Sequence, residues 1–279
     1  MPDLSRIGSS RVVASVSGGK DSAAMSLWLL EQGIEHDRVF LDTGWEHPCT
    51  YDYLRGPLAE AIGQIIELRA PLVFADLCRK KGMFPCRTKR FCTQLLKVFP
   101  MQAYLNDLVE QGHDLINAVG IRHGESQARS RLTEWEWSNG FDCEVWRPLI
   151  EWSEQDVIDC HTRHGLVPNP LYLRGHSRVG CYPCVFASKR ELRLIAEHDP
   201  WRIDEIRELE AEVKKLSKSG RPSMFSLRRD GVHHEQASID EVLEWAITSR
   251  GGRQLAVFQD PPDAGCMRWG LCETEGSPT

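Results

Sequence analysis

Apolar residues fall into two textures along the first two thirds of the chain. Short, largely apolar runs at 11–16 (RVVASV), 38–41, 64–68, 114–121 and 144–149 read as strands, because a strand covered on both faces needs no polar alternation. Between them, apolar positions recur at helical spacing. Asp21 to Glu31 puts Ala23, Ala24, Leu27 and Leu30 on one face, and Pro48 suits the first turn of a helix running to about Ile62. A further helix is predicted near 72–80, ahead of a glycine-proline break at 82–85. Residues 91–111 keep the helical period, with Pro100 expected to kink or split that helix. Ser153 caps a helix through His164, and Asp156 supplies an acid in its first turn. Strand alternating with helix at this spacing predicts an α/β fold with a mostly parallel sheet covered on both faces.

From about residue 189 the texture changes. Lys189 to Lys218 mixes eight basic and eight acidic residues over two helical stretches broken near Pro200, followed by a loop and a helix at Ser238 to Ser249. The expected organisation is a sheet domain over 1–187 and a helical C-terminal extension over 188–279 that ends in a turn-rich, cysteine-bearing tail.

With 279 residues and 41% hydrophobic content, the chain can bury the core of one large or two small domains. No apolar run reaches membrane-spanning length and the first thirty residues lack a signal-peptide layout, so the expected location is cytoplasmic. A net charge of -6 argues against a protein that coats nucleic acid over its whole surface. It leaves room for a local basic patch: Arg79, Lys80, Lys81, Arg87, Lys89, Arg90 and Lys97 occur without an intervening acidic residue. Ten cysteines in a cytosolic chain of this length point to metal or thiol chemistry rather than to a disulfide framework.

The most specific local signal is Ser17-Gly18-Gly19-Lys20-Asp21-Ser22, where the first strand ends and a helix opens. Helix N-terminal N–H groups point into such a turn, the glycines let an anion approach, and Lys20 adds a full positive charge. The spacing is neither the Walker A pattern nor the dinucleotide fingerprint. A second signal is Cys181-x2-Cys184, a chelating bite shared by zinc, iron-sulfur and redox-dithiol sites.

"SGGKDS" resembles the pyrophosphate-binding motif of the ATP pyrophosphatase superfamily. "VFLDTGWEHPCTYDYL" (39–54), "GIRHGESQAR" (120–129), "RPLIEWSEQDV" (147–157) and "NPLYLRGHSRVGCYPC" (169–184) follow in the order of its phosphoadenosine phosphosulfate (PAPS) reductase-like branch. The resemblance covers about 12–190. It implies a doubly wound, adenine nucleotide alpha hydrolase-like sheet that binds ATP or an adenylyl sulfonucleotide and acts at the α-phosphate. On that reading Ser17, Gly18, Gly19, Lys20 and Ser22 cradle phosphate oxygens, Asp21 holds the turn or places Mg²⁺, and Asp42 with Thr43 ends the neighbouring strand at the nucleotide-binding edge. Gly120, Arg122 and Arg129 follow another strand, and the two guanidinium groups would neutralise charge at the α-phosphate. Either arginine has a structural alternative, an ion pair with Glu125.

Cys92 stands where iron-sulfur relatives carry a cysteine pair, although Phe91 replaces the first member. The resemblance therefore implies a [4Fe-4S] cluster on Cys92, Cys181 and Cys184, with Cys272 slightly favoured as fourth ligand over Cys86 and Cys266 and a three-cysteine cluster also open. Zinc is the alternative metal. Cys49, Cys78, Cys143 and Cys160 sit in strand or helix patterns and read as packing residues. Because no "ECGLH"-like tail is present, the favoured activity is ATP cleavage to AMP and pyrophosphate that activates a nucleic-acid or small-molecule target for sulfur transfer, with a cysteine desulfurase as sulfur donor. The alternatives are a sulfonucleotide reductase that makes sulfite and a non-catalytic nucleotide-binding subunit of a modification or defence complex. Trp135, Trp137, Trp146 and Trp152 read as base-stacking candidates or, at strand-like spacing, as core residues.

Overall fold

The computed structural model describes residues 4–218, 222–228, 234–248 and Trp269. In chain order β1 (Arg11–Ser15) leads into α1 (Lys20–Glu31), and β2 (His36–Asp42) into α2 (Pro48–Tyr53) and α3 (Ala59–Ile62). β3 (Ile65–Arg69) is followed by α4 (Phe74–Lys81), α5 (Phe91–Thr93) and α6 (Phe99–Glu110). Then come β4 (Leu115–Val119), β5 (Trp135–Ser138), β6 (Cys143–Trp146), α7 (Glu154–Arg163) and α8 (Pro170–Leu173). The C-terminal part supplies α9 (Lys189–His198), α10 (Pro200–Leu216), the hairpin of β7 (Phe225–Arg228) with β8 (His234–Ala237), and α11 (Ile239–Ala246).

Six strands form one sheet in the order β3-β2-β1-β4-β6-β5, parallel throughout except for β5. The chain steps outward from β1 to β2 and β3, then restarts on the other side of β1 with β4. That reversal makes the β1–β4 boundary the topological switch point, where open α/β sheets leave a crevice at the strands' carboxyl ends.

Both faces are covered, as the continuous apolar runs require. Val12 and Ala14 turn to the face packed by α1, the α2–α3 helix and α7, with Met25, Leu27, Leu58 and Val157 fully buried there. Val13 turns to the opposite face against Met101, Leu105 and Leu108 of α6. This two-residue alternation within a fully buried strand is what makes the fold doubly wound.

Two helical stretches carry their prolines in or next to π turns. Pro57 lies inside a π turn at Leu54–Leu58, and Pro100 follows one at Gln94–Val98. A wider turn accommodates a ring that has no N–H to donate, so the kink or split predicted at Pro100 appears as a local widening. Two further differences concern strands. β5 pairs antiparallel with β6, its Trp135 stacked on the buried Trp146 at 5.0 Å, and the β7–β8 hairpin occupies what the sequence reads as a loop.

The helical extension shares a core with the sheet region. Leu192, Ile203, Ile206 and Leu209 pack with Trp45, Phe74 and Leu77. Inside it, the buried Glu210 carboxylate accepts the backbone N–H groups of Met224 and Ile239, each at 2.9 Å, and so ties the hairpin and the start of α11 to α10. Among the described residues, no helix is long and apolar enough to cross a membrane.

Candidate functional site

The glycine turn between β1 and α1 adopts a backbone that side chains would obstruct. Gly18 has φ of 72°, and an added Cβ would meet Thr50 Cγ2 at 3.0 Å. Gly19 is the N-cap of α1 and offers no side chain to cap it, which leaves the first turn facing the crevice. Ser22 Oγ folds back, accepting from Ser17 N–H and donating to Gly19 C=O. Gly120, at the end of β4, comes so close that an added Cβ would lie 2.8 Å from Asp21 O, so only glycine lets the two switch-point loops touch.

Between these loops lies a cleft of about 690 Å³. It gathers Ser17, Gly19, Lys20, Asp21 and Ser22 from the first loop with Gly120, Arg122 and Arg129 from the second. Lys20, Arg122 and Arg129 each meet a carboxylate: Lys20 Nζ lies 3.3 Å from Glu154 and 3.7 Å from Asp21, Arg122 pairs with Asp21, and Arg129 pairs with Glu125. Lys20 and Arg122 are nearly buried, so their ion pairs sit in a weakly screened setting where an arriving polyanion can exchange for the carboxylates, whereas the Arg129 pair is more exposed. Asp21 thus bridges two cations, and the structural alternative for Arg129 is realised. Trp152 lines the same cleft, Trp137 is 54% exposed elsewhere, and Trp135 and Trp146 belong to the sheet.

Residues that the motifs did not single out hold this arrangement. Tyr172 Oη accepts the Lys20 N–H at 3.0 Å, and the Lys20 ammonium lies 5.0 Å from the same ring. His161 Nε2 bonds the Lys20 carbonyl at 2.9 Å. A carbonyl only accepts, so Nε2 carries the proton. Trp269 of the C-terminal tail packs against both rings, 5.1 Å from His161 and 5.9 Å from Tyr172. Tyr172 lies within a quoted motif, whereas His161 gives no sequence signal beyond its helical position.

Asp42 and Thr43 are placed apart from the cleft lining. Asp42 accepts Gly44 N–H and the Tyr51 hydroxyl and pairs with Arg69, so it shapes the turn after β2. Thr43 donates to the buried Glu46 and lies 3.6 Å from Cys181 Sγ. The chain that lines the cleft at Ser177, Arg178 and Val179 runs directly into this cysteine region. Cys181, Cys184 and Cys92 all act electrostatically on Lys97, which holds its proton more tightly than usual because of Cys181 first, with Glu46, Cys184 and Cys92 adding to it. Among the described residues, only Glu31, Cys160 and His164 bring three ligand atoms within 4.8 Å of one another, so the three predicted cysteines do not form a single-ion trio. Cys272 and Cys266 lie outside the described residues. Cys86 is exposed, its thiol pKa lowered by a hydrogen bond from Thr88, whereas burial pushes the Cys49, Cys143 and Cys160 thiols up to about 11 and Cys78 higher still, as packing residues should be.

A buried polar network fixes the cysteine loop to the helical extension. Asp199 accepts from Tyr182 Oη at 2.7 Å and from Trp201 Nε1 at 3.2 Å, and lies 3.2 Å from His47 Nε2. The main chain adds Tyr182 N–H to Trp45 C=O at 2.7 Å. His176 packs against the Tyr182 ring, its Nε2 without a partner, and burial lowers its pKa to about 4.

The phosphoadenosine phosphosulfate reductase domain family matches residues 11–187. A 37.8 kDa protein of Escherichia phage 186 is 32% identical over 321 aligned positions, covering 94% of this chain and 96% of the phage protein. The adenosine 5'-phosphosulfate reductase of Streptomyces coelicolor is 31% identical over 149 residues, 53% of this chain and 61% of the reductase, so the chain spans less than two thirds of that enzyme. The crystal structure of the PAPS reductase from Candida auris in its phosphate complex superposes with a TM-score of 0.51 at 21% identity, over 64% of this chain and 84% of that one, and shares the fold.

His176 makes stability depend on pH. Its native pKa of about 4 lies below the unfolded value of 6.5, so its contribution is complete above 6.5 and is lost as the pH falls toward 4. Urea unfolding should show a steeper acid-side loss for the wild type than for His176→Phe, by up to ~1.4 kcal/mol per pH unit. Equal slopes for the two proteins would contradict the buried, neutral imidazole.

Proposed function

Since the chain belongs to the phosphoadenosine phosphosulfate reductase domain family, we propose that the switch-point cleft binds an adenine nucleotide and cleaves ATP at its α-phosphate to AMP and pyrophosphate, activating a target for sulfur transfer. The observation that carries this reading is the convergence of Lys20, Arg122, Arg129 and the α1 N-terminus on one cleft at the strands' carboxyl ends. Pyrophosphate oxygens would lie on the Ser17–Ser22 loop, with Lys20 against them, Ser17 donating, and Ser22 donating once its hydroxyl leaves the Gly19 carbonyl. Arg122 and Arg129 would leave their carboxylates and neutralise the charge that builds as a target oxygen attacks the α-phosphorus and pyrophosphate departs, leaving the target adenylated until the sulfur nucleophile displaces AMP. Asp21, released from Arg122, becomes the carboxylate nearest the phosphates and the natural ligand for Mg²⁺. Trp152 offers a face for the adenine.

The cysteines fit a cluster better than a single ion. Zinc with thiolates at about 2.3 Å would draw its ligands into a compact set, which Cys92, Cys181 and Cys184 do not form. The Lys97 ammonium among them suits a group with several negative sulfurs. In the proposal these three residues hold a [4Fe-4S] cluster, with Cys272 as fourth ligand, and the cluster when bound supplies a sulfur-binding or electron-carrying centre. The acceptor is then a nucleic acid or small molecule, and a cysteine desulfurase is a fitting sulfur donor.

A second reading, reduction of an adenylyl sulfonucleotide to sulfite, is favoured by one observation, the 31% identity to the Streptomyces coelicolor adenosine 5'-phosphosulfate reductase. One experiment separates the two. The anaerobically purified chain is incubated with ATP and, separately, with adenylyl sulfate, and the products are resolved. AMP and pyrophosphate from ATP, reduced about 100-fold or more in Lys20→Ala with the fold retained, is the expected result. Intact ATP with sulfite from adenylyl sulfate would replace the first reading by the second, and no turnover of either would leave a nucleotide-binding subunit. Cys184→Ser should lose the visible absorbance of the wild type, and unchanged colour would remove the cluster assignment.

A further inference from the structure

A second cleft of about 620 Å³ opens at the same edge of the sheet, between the chain that leaves β3, α4 and the π turn that precedes α6. Its wall is aliphatic, with Leu72, Leu95 and Pro100, and Phe99 projects from it at 47% exposure. Its charged lining residues are all cations, Arg69, Lys80 and Lys81. Arg69 pairs with Asp42, whereas Lys80 and Lys81 have no ionic partner among the described residues. No acidic residue occurs between Asp76 and Asp107, although the whole chain carries a net charge of -6. This face is therefore locally positive on a negative protein, and its floor is greasy.

We propose that this groove is a docking site for an acidic, amphipathic segment of a partner protein, with apolar side chains in the groove and carboxylates on Lys80 and Lys81. Apolar side chains have a pocket to fill, and the cations select the sign of the flanking residues and speed the encounter. A nucleic acid would use the cations but not the aliphatic wall, because base stacking needs aromatic faces and Phe99 is the one aromatic lining residue. Position gives the docking a use. Leu95 and Leu96 face the groove, and Cys92 and Lys97 of the cysteine group flank them on the same short stretch. A partner seated there sits one helical turn from Cys92, apart from the residues that line the nucleotide cleft.

The test is a selection of phage-displayed random peptides on the full-length chain, followed by binding of a synthesised winner to the wild type, to Lys80→Glu/Lys81→Glu and to Phe99→Ser. The proposal expects winners with apolar residues flanked by Asp or Glu, and a loss of affinity of about tenfold or more in both variants with nucleotide binding unchanged. Absence of enrichment, winners without acidic residues, or equal affinity for the variants would overturn it. Displacement of the winner by a single-stranded oligonucleotide that binds more tightly would overturn it in favour of a nucleic-acid surface. Because neither lysine nor Phe99 lines the nucleotide cleft, a failure here is distinguishable from a failure of the ATP reading.

Discussion

The peptide group of Lys20 is held at both ends, its N–H by the Tyr172 hydroxyl and its carbonyl by His161 Nε2. Those two rings come from α8 and α7, about 150 and 140 residues further along the chain, and Trp269 backs both of them. A glycine-rich turn alone would be free to explore many conformations, at a large entropic cost to any ligand that had to order it. Here the first turn of α1 is fixed before a ligand arrives. The close approach of Gly120 to Asp21 completes the frame, so the orientation of the cleft's donors and cations follows from packing on three sides.

Within that frame the charges are arranged for exchange. Lys20, Arg122 and Arg129 are each matched by a carboxylate, which spares the nearly buried Lys20 and Arg122 the cost of standing unpaired. A polyphosphate offers the same cations stronger, multidentate partners and frees the carboxylates, Asp21 among them. The loop that carries Ser177 to Val179 past the cleft continues into Cys181 and Cys184, so a nucleotide and the cysteine group would be read by one short stretch of chain. The Asp199 network with Tyr182 and His47 anchors that stretch to the helical extension.

Much of this was legible in the sequence, for identifiable reasons. The buried parallel strands are short apolar runs with few competing signals, and the motif at 17–22 keeps its chemistry within six consecutive residues. β5 was harder to read because it is a four-residue edge strand, with Trp135 stacked on Trp146 and Trp137 exposed. The β7–β8 hairpin was hidden because Phe225–Arg228 and His234–Ala237 are too short and polar to stand out. His161 could not be found from its neighbours, since its role depends on a contact with a carbonyl far away in the chain. Asp42 and Thr43 sit at the expected strand end, yet their side chains turn to Tyr51, Arg69 and Glu46 rather than to the cleft.

The most direct measurement is a crystal structure of the chain with an ATP analogue whose α–β bridge is a methylene group. The account predicts its β- and γ-phosphates on the Ser17–Ser22 loop, its α-phosphate between Arg122 and Arg129, and Arg122 separated from Asp21. A nucleotide bound elsewhere, or bound with Arg122 still on Asp21 and the phosphates away from the loop, would contradict it.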